Sequence, residues 1–340
     1  MKLERLALIA GVGLFLWLLH RIGLAAVWSS LARIGWGFAA ILLLESVVVL
    51  STTLAWRETV PPDRPVALRS LLAMRVAGDG VNALAPAAVV GGELVRAGLL
   101  SRFVGGAQAL GSVGLAAFTQ FLAQVLFVGV GAMLVPASGL APRVRFLGLA
   151  LLVLFSVLVA VLGRVSRVRS SPTGWPGRLL DRLGRAVARH GSAGRLWPEV
   201  DREVFGAVRE RPGRLALSVL FFLGGWLVSI IEVFLVLVFL GAPVPFGMAS
   251  SIAVLAVLVE GALFFVPARA GVQEGGLYAI FGALGLNPVN GFSLGLARRL
   301  RELSWGLLGL GVLAYLRRSK ADTDGSARAE ERAMAASGER

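Results

Sequence analysis

Glu93 and Arg96 stand one helical turn apart in NALAPAAVVGGELVRAGLL, and Gln273 and Glu274 share the stretch GVQEGGLY; both settings are apolar and glycine-rich. A carboxylate in hydrocarbon costs roughly 2.5–3.5 kcal/mol or more. These residues are therefore expected to face a polar cavity and to have partners in it. Arg96 is the natural local partner of Glu93, and Arg298, Arg299, Arg301 and Glu302 in LARRLREL are available to Glu274. Such a set can pair charges, hydrogen-bond a polar group, and hold or release a proton. Asn82, Glu93, Arg96, Gln273, Glu274, Arg298, Arg299 and Glu302 are the candidate binding residues. The competing reading makes them ion pairs that only lock helices together.

Bond-breaking chemistry has little to work with. The chain has no Cys and only two His, His20 and His190. That rules out disulfides and thiolate chemistry and argues against a histidine metal site. No GxxxxGK[ST] loop is present for ATP, and neither an HExxH zinc motif nor a nucleophile elbow is expected. No catalytic residue, metal or cofactor is assigned.

The elements that must hold the candidate residues are membrane helices. Hydrophobic residues make up 56% of the 340, mean hydropathy is +0.78, and 16% are charged, against roughly 25% in a soluble domain. Apolar runs at about 6–25, 34–56, 105–135, 144–162, 215–240, 248–266 and 292–316 reach or approach the roughly 20 residues needed to cross a bilayer. Two further stretches, about 67–100 and 267–290, are apolar but interrupted. The expectation is an all-α integral membrane protein, one polytopic domain over 1–318 with about seven to eight transmembrane helices.

The net charge of +14 is almost all Arg. It falls before the first helix, after the second, along the loop 164–214 and after the last helix, whereas GAPVPFG at 241–247 carries none. Positive-inside placement then puts both termini and the 164–214 loop in the cytoplasm. It explains the charge better than nucleic-acid binding, for which no recognition motif is present. Lys2 and Arg5 ahead of the run Leu6 to Leu19 read as the start of a membrane helix rather than a cleaved leader. Within the loop, Leu179, Leu183 and Val187, then Val200, Val204 and Val208, recur every four residues between arginines. This is the pattern of short amphipathic helices lying on the membrane face or packing on the bundle. The polar tail 319–340 is expected to be disordered.

Smaller features take structural readings. Trp17, Trp28, Trp36 and Trp56, near predicted helix ends, read as interfacial anchors. Gln120 and Gln124 read as interhelical hydrogen-bonders. Glu45 and Glu232 read as packing or register residues, while Glu260, the repeat partner of Asp79, is given a functional role.

That repeat appears when the chain is shifted by 181 residues. Pro86 then meets Pro267, Glu93 meets Glu274, and SVGLA at 112–116 meets SLGLA at 293–297, with eight identities across the 38 positions 79–116. The first copy is entered from the basic loop at 57–65 and the second from the uncharged loop at 241–247. The copies would thus run in opposite directions, the plan of an inverted repeat. Backbone freed of helical hydrogen bonds is tolerated at membrane depth only where protein or water buries it. Pro86, Gly91 and Gly92, with Pro267, Gly271, Gly275 and Gly276, are therefore expected to form two re-entrant hairpins facing a cavity.

The stretches DGVNALAPAAVVGGELVRAGLL and GVQEGGLYAIFGALGL, followed by LARRLRELSWG, resemble the hopanoid-biosynthesis-associated membrane proteins. Those belong to a flippase-like superfamily that includes the membrane region of lysylphosphatidylglycerol synthases. The resemblance covers about 5–318. It implies a bacterial inner-membrane protein that moves lipids between leaflets or toward the outer membrane. Hopanoids are the implied cargo of this branch; aminoacylated phosphatidylglycerol and polyprenyl-phosphate carriers are cargo of the wider superfamily. Carried over by position, the family's polar motif residues are Asn82, Pro86, Gly91, Gly92, Glu93 and Arg96, then Gln273, Glu274, Gly275 and Gly276, then Arg298, Arg299 and Glu302. The chain ends about 24 residues after its last predicted helix, so the soluble aminoacyl-transferring domain, and with it enzyme activity, is expected to be absent. The expected partners are a membrane lipid and lipid-biosynthesis proteins. Two alternatives stay open: a scaffold that recruits lipid-synthesis enzymes through the 164–214 loop, and an embedded lipid-modifying enzyme.

Overall fold

The computed structural model describes residues 32–84, 91–135, 141–168, 193–263 and 271–338, with isolated positions of the segment before residue 32. All regular structure among them is helical. In chain order the helices are α1 Gly37–Arg57, α2 Leu68–Leu84, α3 Gly91–Val104, α4 Gly106–Met133 and α5 Ala141–Val168. They continue as α6 Ala193–Glu210, α7 Pro212–Phe239, α8 Phe246–Ala262, α9 Val272–Ala283 and α10 Pro288–Gly338. Pro86, Pro267, most of the span predicted at 6–25 and the loop residues Leu179, Leu183 and Val187 lie outside the described residues.

Four of these helices are long and apolar enough to cross a membrane: α1, α4, α7 and the 142–161 part of α5. The 21 residues of α1 rise about 32 Å, matching a hydrocarbon core of about 30 Å. By the same measure the 17 residues of α8 rise about 26 Å and fall short. Helix α10 carries Arg298, Arg299, Arg301 and Glu302 about three turns in from its start, which dilutes its apolar signal. The predicted spans at 248–266 and 292–316 thus correspond to a short helix and a charged one.

Side-chain contacts fix the helix directions. Arg214 Nε on α7 donates to Glu58 Oε2 at 2.9 Å just beyond the end of α1, Ser51 Oγ donates to the Phe221 carbonyl at 2.6 Å, and Gly37 abuts Phe239. Helices α1 and α7 therefore run antiparallel. Thr119 and Ser218 hydroxyls meet at 2.9 Å, and Phe127 stacks on Trp226 at 5.8 Å, so α4 runs parallel to α7. Thr59 Oγ1 donates to the Ser112 carbonyl, which puts the start of α4 at the end where α1 finishes.

The helix pattern itself repeats. Adding 181 to the first residue of α3, Gly91, gives 272, the first residue of α9. The same shift carries α1 onto α7, α2 onto α8 to within three residues, and the start of α4 onto the start of α10 to within one. The two helices related by this shift, α1 and α7, are the pair that runs antiparallel.

Glycine sets the closest approaches. A Cβ on Gly80 of α2 would lie 2.7 Å from the Gly309 carbonyl carbon of α10. At Gly92 it would lie 2.6 Å from Asn82 Nδ2, and at Gly295 of α10, 2.9 Å from the Glu274 Cα of α9. Small residues that let backbones touch are the usual means of helix association in lipid. Phe146, Leu149, Val153 and Val157 of α5 stay exposed, as lipid-facing residues do.

Trp56 is a core residue, 1% exposed, rather than an interfacial anchor; Trp17, Trp28 and Trp36 are exposed. Helix α10 runs on to Gly338, and the segment from Ala327 to Ala336 is made of Ala, Arg, Glu and Met, strong helix formers. Of the two amphipathic loop helices, α6 starts at Ala193, ahead of the expected Pro198, and packs on α4, with Glu203 beside Gly111 and Ala207 buried.

Candidate functional site

At the middle of the bundle lies a cavity of about 200 Å³. Its charged and amide lining is Glu45 from α1, Arg75 from α2, Gln120 from α4, Glu232 from α7, Glu260 from α8, Gln273 from α9, and Arg298, Arg301 and Glu302 from α10, with the hydroxyls of Thr52 and Ser229 beside them. Gln120 is halfway along α4, which places the cavity near mid-span. Ligand pockets that enclose a whole small molecule are roughly 300–1,000 Å³. This one has room for a head group and not for a lipid with its tails.

The cluster on α10 is built by long-range ion pairs. Arg301 Nη1 donates to Glu232 Oε1 at 2.6 Å and pairs with Glu45 Oε2 at 3.0 Å. Arg298 lies 3.4 Å from Glu232 and 3.9 Å from Glu260, and its Nε makes no hydrogen bond. Arg299 Nε donates to Glu274 Oε1 at 3.0 Å, and its Nη1 pairs with Glu302 at 3.3 Å. Glu232, Gln273, Glu274 and Arg298 are all buried. The Oε1 of Gln273 and the Oε2 of Glu274 accept no hydrogen bond.

A second cluster lies on the α2–α3 pair. Arg96 Nη1 donates to Glu93 Oε1 at 2.7 Å, Arg96 Nη2 pairs with Asp79 Oδ1, and Arg75 Nε donates to Asp79 Oδ2 at 3.1 Å. Arg75, Glu93 and Arg96 border a small void of about 10 Å³ that shares Arg75 and Gln120 with the central cavity. Gly78 and Gly92 make this packing possible. A Cβ on Gly78 would meet Arg96 Cγ at 2.6 Å, and the Gly92 amide donates to Asn82 Oδ1 at 2.8 Å.

The candidate residues are therefore distributed. Gln273, Arg298 and Glu302 line the central cavity, with Glu274 and Arg299 paired beside it; Glu93 and Arg96 sit in the neighbouring cluster; Asn82 ties α2 to α3. Glu45 and Glu232, read as packing residues, line the cavity and hold its arginines. Gln120, read as an interhelical hydrogen-bonder, also faces it. Arg75 was missed. Its spacing of four from Asp79 in MRVAGDG was the signal that could have found it. The string GFSLG at 291–295 has the letters of a nucleophile elbow, against expectation. Ser293 nevertheless sits inside α10, buried, with its hydroxyl donating to the Val289 carbonyl at 2.9 Å, and an elbow requires a strand-to-helix turn.

Residues 5–311 match the family model described as the lysylphosphatidylglycerol synthase TM region. Comparison with curated proteins and with solved structures finds no match.

Proposed function

We propose, given that the chain belongs to the lysylphosphatidylglycerol synthase transmembrane-region family, that it is a lipid translocator without enzyme activity of its own. The head group of an amphiphilic lipid enters the central cavity while its tails stay in the bilayer. Hopanoids are the favoured cargo, with phospholipids and polyprenyl phosphates the alternatives. The membrane is the bacterial inner membrane, crossed about seven to eight times, with both termini cytoplasmic.

One observation carries this reading: residues from both halves of the repeat, Arg75 and Gln120 with Glu232, Glu260, Gln273 and Arg298, converge on a polar cavity near mid-span. Charged side chains inside membrane segments face such cavities and mark substrate paths. Transporters built from inverted repeats hold their sites at the interface between the halves, near the bilayer midplane, with broken helices around them. The pairs α2–α3 and α8–α9 would be the two re-entrant hairpins of that plan. Carboxylates and Gln273 suit a polyol or amine head; the arginines suit a phosphate.

The test is translocation in proteoliposomes of the purified protein, with a labelled hopanoid, a phospholipid and a polyprenyl phosphate in parallel. Movement of one class, abolished in Glu274→Gln and in Glu93→Gln while both variants stay folded, is the expected result. Transport untouched by both substitutions would refute the site.

A further inference from the structure

Buried polar atoms of a folded chain are nearly always hydrogen-bonded. Among the described residues six buried side-chain nitrogens and oxygens are not, and four of the six fall in the central charge network: Arg298 Nε, Arg301 Nε, Gln273 Oε1 and Glu274 Oε2. Arg298, Arg301 and Gln273 line the central cavity, and Glu274 adjoins Gln273 in the chain. Gln273 is 3% exposed and Arg298 6%, so bulk solvent does not serve them. All four come from α9 and α10, which touch where Gly295 meets the Glu274 backbone. Two of the atoms are donors and two are acceptors, and they stand side by side.

A ligand that satisfies such a set must donate and accept together. A hydroxyl does both, with one O–H and two lone pairs; an ionised phosphodiester only accepts, and an ammonium only donates. The charge of the lining points the same way. Arg75, Arg298 and Arg301 stand among Glu45, Glu232 and Glu260, so a head group with net charge of either sign meets like charges. Water meets donors and acceptors alike, and a head group that displaces it keeps affinity only by reproducing its hydrogen bonds. Neighbouring hydroxyls reproduce them. A phosphate leaves Gln273 Oε1 and Glu274 Oε2 unmet, and an ammonium leaves both guanidinium Nε atoms unmet.

We infer that the central cavity selects a neutral, polyhydroxylated head group, a sugar or an open-chain polyol, and that Gln273 and Arg298 are its specificity-determining residues. Gln273 Oε1 accepts from one hydroxyl of the head group, and Arg298 Nε donates to the oxygen of a neighbouring one. The inference that the bound lipid is then moved rests on the translocation reading; the selection does not. A site built to hydrogen-bond a hydroxyl rejects an analogue that lacks it far more strongly than an apolar pocket rejects a change of size. The head group is therefore read here, and the tails, which the cavity cannot hold, are not.

Native mass spectrometry of the full chain released from phosphatidylcholine nanodiscs tests the selection. The discs carry equal amounts of a monoglucosyl diacylglycerol, a polyol-headed hopanoid, phosphatidic acid, phosphatidylethanolamine and a dialkylamine. The wild type is expected to retain a hydroxylated lipid over the other three by at least about tenfold, the fold-change of one hydrogen bond; whichever of the two is held more tightly tells sugar from polyol. Gln273→Leu removes an acceptor that has no protein partner and is expected to erase the preference. Arg298→Lys keeps a cation beside Glu232 but has no Nε, and is expected to reduce it. All probes compete in one sample, so a variant that is merely less stable lowers every signal and leaves the ratio unchanged. Equal retention of phosphatidic acid, phosphatidylethanolamine or the amine, retention of none, or a preference that survives both substitutions overturns the inference. A wild type that shows the preference yet moves no lipid in proteoliposomes refutes the translocator and leaves the selective site standing.

Discussion

Glu232 joins the network at its narrowest point, between Arg301 at 2.6 Å and Arg298 at 3.4 Å, and is itself 2% exposed. Removing one partner of a buried ion pair leaves an uncompensated charge and costs about 3–5 kcal/mol. Glu232→Ala leaves Arg301 with Glu45 at 3.0 Å and Arg298 with Glu260 at 3.9 Å, and is expected to fall near that range, read as a lower thermal midpoint in detergent. Glu93→Ala leaves Arg96 its second partner, Asp79, and removes an acid less deeply buried than Glu232, so a smaller loss is expected. Equal midpoints for the two variants would show that burial does not set the strength of these pairs. The contrast also explains what could be read from the chain. Glu93 and Arg96 are three residues apart, so their pairing is written locally. Glu232 and Arg301 are 69 residues apart, and nothing near Glu232 announces a cation. Local spacing found the first pair and took Glu232 for a packing residue.

At the scale of the element, the interruptions in the hydrophobic pattern were legible because Pro and Gly carry backbone meaning wherever they fall. The break expected within 67–100 falls between α2 and α3; within 267–290, Gly271 precedes α9, while Gly275 and Gly276, expected to interrupt the backbone, lie inside that helix. The shift of 181 read from the residues reappears in the helix boundaries. What spacing could not give was the partner of each glycine. The packing role of Gly80 is set by Gly309, brought opposite by the crossing of α2 and α10. Overpacking a tight interior costs about 1–3 kcal/mol where the neighbours can move, and here the neighbour is backbone. Gly309→Leu is expected to separate α2 from α10 and lower thermal stability by at least that much. Gly98→Leu, at a glycine with open space around it, is expected to be nearly neutral. A Gly309→Leu protein as stable as the wild type would mean that the crossing is loose.

For the whole molecule the decisive quantity is direction. The contacts from Glu58–Arg214 at one end to Gly37–Phe239 at the other set α1 against α7, so the two halves begin at opposite ends of the bundle. If each half then sends its hairpin inward from its own end, the connection at 57–65 and the connection at 241–247 face opposite compartments. On the positive-inside reading the first of these would be cytoplasmic. The absence of Cys makes the point directly measurable, since a single introduced thiol has no background. Asp63 and Pro243 are both exposed and can each be replaced without disturbing the core. In intact cells a membrane-impermeant maleimide is expected to label Pro243→Cys and to leave Asp63→Cys unlabelled until the membrane is opened. Labelling of both from one side would remove the inverted plan, and with it the reason for a mid-span cavity to be reached alternately from two leaflets. Labelling from opposite sides would give the acids and arginines of α10 the position that a carrier requires: between two hairpins that approach from opposite faces and meet where the charges are.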